Sequence, residues 1–397
     1  MREQIATSVL DGKRINEEQA LWALENLDLP TLGFLANTVR ARKPKNGNDV
    51  VTYVISRNVN YTNVCITDCD FCSFYRHPKD AEAYSLNKDE LREKARELVE
   101  LGGTEVLLQG GHNPKLPLSY YQEMLSLFKN EFKLHNHAFS PSEIQHFAIF
   151  WRMTLPQVLK ELKAAGLDSI PGGGAEILTD RVRAIICPKK GGADAWLEPM
   201  REAHKLGIRS SATMMFGHVE TRAERIEHMR RLRELQDETK GFTAFICWTF
   251  QNMDNAMSHV KMVGAHEYLR TQAIARIYLD NFDNVQASWV TQGGKIGQIS
   301  LTYGCNDMGS LMIEENVVRL AGATFRMNEF EIRRLIREAG YEPRRRNFYY
   351  DLLKEPADLD AKLAEEFKRE RMKGYKRTGM GRPGEKDPTV EEHATVS

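Results

Sequence analysis

The sequence predicts an α/β fold, a parallel (β/α) barrel of the TIM type with a helical lead-in and a charged C-terminal tail. Three observations predict it. Apolar, β-branched runs alternate with helix-period segments about eight times between residues 50 and 303, the pattern of a parallel sheet with crossover helices. The glycine-rich motifs fall where the predicted strands end, and such barrels carry their active sites there. The chain has 397 residues, 42% of them apolar, enough for one large barrel with a sizeable core.

Residues 1–49 read as the lead-in. Asn16 opens one helix through Leu21 and Leu24, and Asp28 caps a second with Leu32, Leu35 and Val39 on one face. The turn-rich KPKNGN of residues 43–48 separates it from the barrel, residues 50–353. Strands are predicted at 50–56, 104–108, 133–139, 167–170, 208–216, 242–250, 285–289 and 299–303. Helices are predicted at 87–101, 118–129, 154–165, 180–186, 193–206, 221–238 and 266–280, with Asn87 as a cap and Gly102 and Gly166 as stops. Residues 354–397 form the charged tail. Residues 377–397, rich in Gly, Pro, Lys and Glu, are expected to be disordered.

Composition excludes several classes. Lys+Arg and Asp+Glu both number 55, so no global field favours nucleic acid or an anionic membrane. No apolar run approaches the ~20 residues of a membrane span. The polar start MREQIATSVLDGKR lacks a signal-peptide core. A cytoplasmic location, where thiols stay reduced, is the expectation.

The chemistry gathers in residues 57–76, RNVNYTNVCITDCDFCSFYR, which place Cys65, Cys69 and Cys72 in a C-x3-C-x2-C array. Cysteine thiolates are the usual ligands of iron–sulfur clusters. Three of them on a [4Fe–4S] cubane leave one iron without a protein ligand, and a reactive metal site needs such an open position. The alternative is a structural zinc site completed by His77. No second ligand pair exists for it, and Cys187, Cys247 and Cys305 stand alone, as small buried hydrophobes do.

Three strand ends carry the other motifs. Gly110-Gly111 lets a ligand approach the backbone closely, or simply makes a turn. Gly172-Gly173-Gly174 clears side chains from a loop and leaves Glu176 to face a ligand. In residues 213–220, TMMFGHVE, the alternation of Met214 and Met215 puts one of them in the core.

The cysteine spacing, with aromatic Phe71 before the last cysteine, resembles the radical S-adenosylmethionine (SAM) superfamily. That resemblance implies that the open iron chelates the methionine end of SAM and that Phe71 packs near the adenine. It places Gly110 and Gly111 against the SAM amino group, with His112 where the superfamily has an acid. It matches Thr213, Met215, Gly217 and Glu220 to an adenine-contact motif, Thr213 standing in for a glycine, and turns Glu176 towards SAM or substrate. RNVNYTNVC, FCSFYR, HAFSPSEI, AGLDSIPGGGAEIL, SATMMFGHVET, LQDETKGFTAFICWTFQ, ASWVTQG and EENVVRLAGATF follow one another. In that order they resemble the cyclic dehypoxanthinyl futalosine synthase family of the futalosine route to menaquinone, over residues 15–353. The resemblance implies a radical SAM cyclase. It takes hydrogen from the ribose 4′ carbon of dehypoxanthine futalosine and joins that carbon to the substrate's benzoate ring. A one-electron donor protein is implied as partner. Cys247 replaces a family proline, and residues 252–258 depart from the family loop. Aminofutalosine synthase and the deazaflavin-core synthase share much of the pattern. A zinc-binding regulator would need a basic recognition helix, and none is found. No residue is singled out as a catalytic acid or base, or as the partner of the substrate carboxylate.

Overall fold

The computed structural model describes residues 1–43 and 45–378, with side chains to residue 369. Three helices, α1 (Arg2–Leu10), α2 (Glu17–Asn26) and α3 (Leu29–Arg40), lead into β1 (Val50–Val54) and β2 (Ser56–Val59). There follow α4 (Lys88–Glu100), β3 (Glu105–Leu108), α5 (Leu118–Ser126), β4 (His135–Ala138), α6 (Pro141–Phe150), α7 (Leu155–Ala165), β5 (Ser169–Ile170), α8 (Asp180–Ile186) and α9 (Ala193–Lys205). Next come β6 (Arg209–Phe216), α10 (Arg222–Thr239), β7 (Phe242–Thr249), α11 (Ala265–Tyr278), β8 (Asn284–Gln286), α12 (Trp289–Gln292) and α13 (Gly294–Ser300). The described chain finishes with β9 (Asp307–Ser310), α14 (Val317–Leu320), α15 (Glu329–Glu338), β10 (Glu342–Arg345) and α16 (Leu359–Thr378).

The strands form one sheet in the order β10-β1-β9-β8-β7-β6-β5-β4-β3-β2, and every pairing is parallel. β1 and β2 are one run of chain interrupted at Ile55. β1 pairs with β9 and β10 on one flank, and β2 pairs with β3 at the far edge. Around the interruption, Leu311 N–H donates to the Val54 carbonyl and Thr104 N–H to that of Ile55. Residues 50–59 therefore carry the sheet from one edge to the other and curl it into a barrel.

Local chemistry sets the helix starts. Asn16, Asn87, Ser140, Thr221 and Asn328 each form a reciprocal capping box with the residue three places on, which satisfies backbone donors that a helix start leaves free. The lead-in packs on the barrel: Arg270 of α11 donates to the carbonyls of Leu24 and Leu27. At the other end α16 docks on α15, where the rings of Phe330 and Phe367 stack at 4.8 Å and Arg333 donates to Asp360 at 2.6 Å. No described helix is long and apolar enough to cross a membrane.

Four regions differ from the sequence reading. The strand expected at 299–303 is helical, since short apolar runs fit both periods. The strand there is β9, whose DMGS carries no β-branched residue to betray it. Trp289, expected in a strand, opens α12. β10 reads EPRR and pairs only as an edge strand, the one place in a sheet where its proline is tolerated. α6 and α15 have no counterpart in the sequence reading, although each starts with a capping box. Of the stretch expected to be disordered, residues 379–397 lie outside the described residues.

β9 and β10 clamp the barrel floor. Buried Asp307 accepts from Arg346 Nε at 2.6 Å and Nη2 at 3.1 Å, from Thr52 Oγ1 at 2.6 Å and from Gly309 N–H at 2.8 Å. Removing one partner of a buried ion pair leaves an uncompensated charge, at a cost of about 3–5 kcal/mol. Losing an N-cap such as Asn87 costs about 1 kcal/mol. Asp307→Ala should therefore lower the urea midpoint well beyond Asn87→Ala; equal shifts would show that the clamp does not hold the floor.

Candidate active site

The segment after β2 crosses the top of the barrel and carries the cysteines. Its course depends on two glycines. A Cβ on Gly110 would sit 2.5 Å from the Tyr61 ring, and one on Gly111 would sit 2.2 Å from the Val64 carbonyl oxygen. Close approach, more than turn formation, explains the pair. Cys65 N–H donates to the Arg76 carbonyl and Arg76 N–H to that of Asn63, which closes the loop on itself.

Cys65, Cys69 and Cys72 line one cavity of about 410 Å³ inside the barrel, with Phe71, Gly110, Gly111, Glu176, Thr213 and Met215. Thr67 Oγ1 lies 3.0 Å from Cys65 Sγ and 3.6 Å from Cys69 Sγ. Burial pushes the Cys69 thiol up and that of Cys72 to about 11. Among the described residues, no three His, Cys, Asp or Glu side chains converge as one ion would require. The three thiols lie along one loop and face a shared space. The His77 ring turns towards Asp68, 3.7 Å away.

Lys190, which the sequence did not reveal, faces the same space. Its side chain is 13% exposed; the ammonium lies 3.6 Å from the Glu176 carboxylate and 5.3 Å from the centre of the Phe71 ring. Burial alone would lower its pKa, but Cys69, Glu176 and Cys187 outweigh it and raise it. The site thus offers thiols, an ammonium, a carboxylate and an aromatic face within one mouth. A ligand that is zwitterionic at one end and aromatic at the other matches it.

The three glycines form a tight, fixed turn. A Cβ on Gly172 would meet Thr213 N at 2.8 Å, and one on Gly173 would meet the Gln109 amide at 2.3 Å. The Thr213 hydroxyl donates to the Gly172 carbonyl, and Met215 N–H donates to that of Glu176 at 3.0 Å. Glu176 itself takes a left-handed conformation, φ 49°, strain typical of a functional turn. Met215 faces the cavity, while Met214 is core.

Gly217 and Glu220 lie outside the cavity lining. The Glu220 carboxylate accepts from the N–H groups of Gly217 at 2.7 Å and His218 at 2.9 Å, and from Arg225 Nε at 2.8 Å. It locks the loop after β6 and leaves no oxygen directed at a ligand. His112 is also enclosed. Its Nε2 lies 3.3 Å from Ser142 Oγ, and burial holds its pKa well below the usual range, so it is neutral. Glu143 of α6 reaches the same glycine pair: its carboxylate accepts from Gly110 N–H at 3.1 Å. The signal was present as Ser140-Pro141-Ser142-Glu143, a capping-box start.

Comparison with known proteins gives the following. Residues 59–232 match the radical SAM superfamily and residues 239–359 match the CofH/MqnC C-terminal region. The chain is 45% identical over 344 residues to a cyclic dehypoxanthine futalosine synthase of Streptomyces coelicolor, covering 86% of each chain. It is 42% identical over 358 residues to that of Halalkalibacterium halodurans, covering 90% of this chain and 96% of the other. An aminodeoxyfutalosine synthase of Thermus thermophilus is 41% identical over 355 residues, covering 87% and 94%. Among solved structures, methylornithine synthase superposes with a TM-score of 0.69 at 16% identity, covering 85% of this chain and 97% of that one.

Two outcomes test the geometry. Gly111→Ala forces a methyl group into the Val64 carbonyl, so iron retained after anaerobic reconstitution should fall sharply while circular dichroism stays that of the parent; full iron retention would refute the close-approach argument. Glu220→Gln should leave SAM affinity unchanged and lower the melting temperature. A direct charged contact to SAM would instead be worth ~1.5–3 kcal/mol, about tenfold to hundredfold in affinity.

Proposed function

The chain belongs to the radical SAM superfamily, in its CofH/MqnC branch, and on that premise we propose that it converts dehypoxanthine futalosine to cyclic dehypoxanthinyl futalosine in menaquinone biosynthesis. The observation that carries this reading is the likeness over most of the chain to synthases of that name, together with a three-thiol loop over a hollow barrel. Aminodeoxyfutalosine synthase is the less favoured reading, being less similar in sequence. The chain reads as a lead-in (1–49), a catalytic barrel (50–353) and a tail (354–397).

When bound, the [4Fe–4S] cluster and SAM supply a 5′-deoxyadenosyl radical, chemistry that belongs to the cofactor. The residues supply position. Cys65, Cys69 and Cys72 would hold the cluster. Lys190 offers its ammonium to the SAM carboxylate, and Glu176 its carboxylate to the SAM amino group. Phe71 and Met215 border the adenine, and the backbone at Gly110 and Gly111 lines the methionine end. The substrate's ribose would lie deeper in the barrel, where the hydrogen of its 4′ carbon would pass to the 5′-deoxyadenosyl group, giving 5′-deoxyadenosine, and that carbon would bond to the benzoate ring. Aromaticity would return with loss of one proton to water and of one electron to a one-electron acceptor. Holding the reacting atoms in contact supplies much of the rate and keeps water from the radical. The reading also calls for a one-electron donor protein.

Deuterium on the ribose 4′ carbon of dehypoxanthine futalosine should appear in 5′-deoxyadenosine, alongside a product lighter than the labelled substrate by one deuterium and one hydrogen. Cys69→Ala should form neither compound and bind no iron. Cyclised product with deuterium-free 5′-deoxyadenosine would refute the abstraction site. No reaction with this substrate, but adduct formation with an enolpyruvyl benzoate, would reassign the chain to the sibling synthase.

A further inference from the structure

The floor of the cavity lies about 13 Å below Gln109, four residues along β3 at about 3.3 Å each. It holds a carboxyl group that the reaction as described leaves idle. Glu105 is buried and lines the cavity, and its enclosed Oε2 has no hydrogen-bond partner among the described residues. Buried polar groups are almost always hydrogen-bonded, and each exception needs a reason. The residue borders the ligand cavity, so its carboxyl group is available to a ligand that reaches the floor.

Its surroundings narrow that ligand. Arg346 lines the same floor. It donates from Nε and Nη2 to Asp307 and from Nη1 to the Asn347 carbonyl at 3.2 Å. A guanidinium has five N–H groups, so two remain. The Tyr350 ring supports the guanidinium from 4.0 Å, and Phe348 gives the floor an apolar wall. On neighbouring β4, His137 is turned to Ser169 at 2.8 Å, and burial lowers both His135, to about 4, and His137, leaving them neutral. Burial also pushes Glu105 up to about 7, against the pull of Arg346 and with the push of Asp307.

Charge then separates the two ends. Of the residues lining the cavity, only Lys190 and Arg346 are lysine or arginine, one beside the cysteine loop and the other at the floor. On the reaction proposed above, the cavity accepts two carboxylates, the methionine end of SAM and the benzoate of the substrate. Two anions repel within one low-dielectric cavity, so each takes its own cation. We infer that Glu105 and Arg346 form the subsite for the substrate's benzoate carboxylate, with Glu105 as a neutral hydrogen-bond donor beside the guanidinium. The inference rests on the proposed reaction, and it fixes the substrate's orientation: ribose towards the cysteine loop, carboxylate down.

The test is equilibrium binding of dehypoxanthine futalosine, and of its aryl carboxamide analogue, to the anaerobically reconstituted enzyme without SAM or reductant. The parent should prefer the carboxylate by about tenfold or more, the range of a hydrogen bond to a charged group. Its affinity should fall as pH rises through about 7, because Glu105 donates below its pKa and repels the carboxylate once ionised. Glu105→Gln keeps a donor of the same shape and should bind the carboxylate without that pH slope. Glu105→Leu should bind it about tenfold more weakly. Equal affinity for the two ligands, a pH-independent parent, or lost binding in Glu105→Gln would overturn the subsite. A parent that cyclises the substrate yet binds the carboxamide equally well overturns the subsite alone. A parent that binds neither ligand overturns the reaction as well.

Discussion

The carboxylate of Glu143 ties together the starts of three loops at the top of the barrel. It accepts from the Tyr61 hydroxyl at the head of the cysteine segment, from Gly110 N–H at the end of β3, and from Ser140 N–H and Oγ, both at 2.7 Å, after β4. Each bond satisfies a buried donor, and together they offset the desolvation that pushes this carboxyl up. The cysteine loop depends on the arrangement. Tyr61 is pressed on Gly110, and Val64 on Gly111, only because β3 and β4 end at the height that Glu143 sets. Aromatic packing reinforces it: the Tyr61 ring lies 5.6 Å from that of Tyr121 and 6.0 Å from that of Phe139.

That aromatic cluster also carries strain. Phe139 has φ 62°, unusual for a bulky residue, and this turns the chain out of β4 into the cap of α6. Asp68 in the cysteine loop and Glu176 after β5 share the left-handed conformation. Strained residues of this kind persist where surrounding packing over-determines them. Here they stand in three of the loops that follow the strands β2, β4 and β5.

The barrel interior is organised around emptiness. Barrels of this type are usually filled by layers of branched apolar side chains. Here the inward positions include Ser56, Asn58, Gln109, Ser211 and Gln286, which leave room for two ligands and offer them hydrogen bonds. Stability comes instead from the layer between sheet and helices, where Val51, Val106, Leu108, Ile170 and Met214 are fully buried. The floor is closed by the pair of Asp307 in β9 and Arg346 just after β10, the two strands that sequence patterning does not reveal.

Sequence alone determined what local physics can specify. The alternation of strand and helix periods marked most of the barrel, the caps at Asn16, Asn87 and Thr221 set helix starts, and three cysteines on one short loop marked a candidate metal site. Glycine clusters marked the strand ends, because only a residue without a Cβ tolerates the contacts found at Gly110, Gly111 and Gly172. Tertiary structure decided what depends on residues distant in the chain. Glu143 anchors Gly110, since a carboxylate thirty-odd residues away reaches that glycine only after β3 and β4 pair. Lys190 reaches the Phe71 ring of the cysteine loop across the barrel mouth, and Arg346 and Glu105 line the same cavity, placements no spacing announces. Glu220, plausible beside its glycine, is directed into its own loop by Arg225, a choice settled by which cation folding brings nearest. β9 and β10 escaped notice for the same reason: their polar residues are stabilised by partners on other strands, and periodicity records only burial.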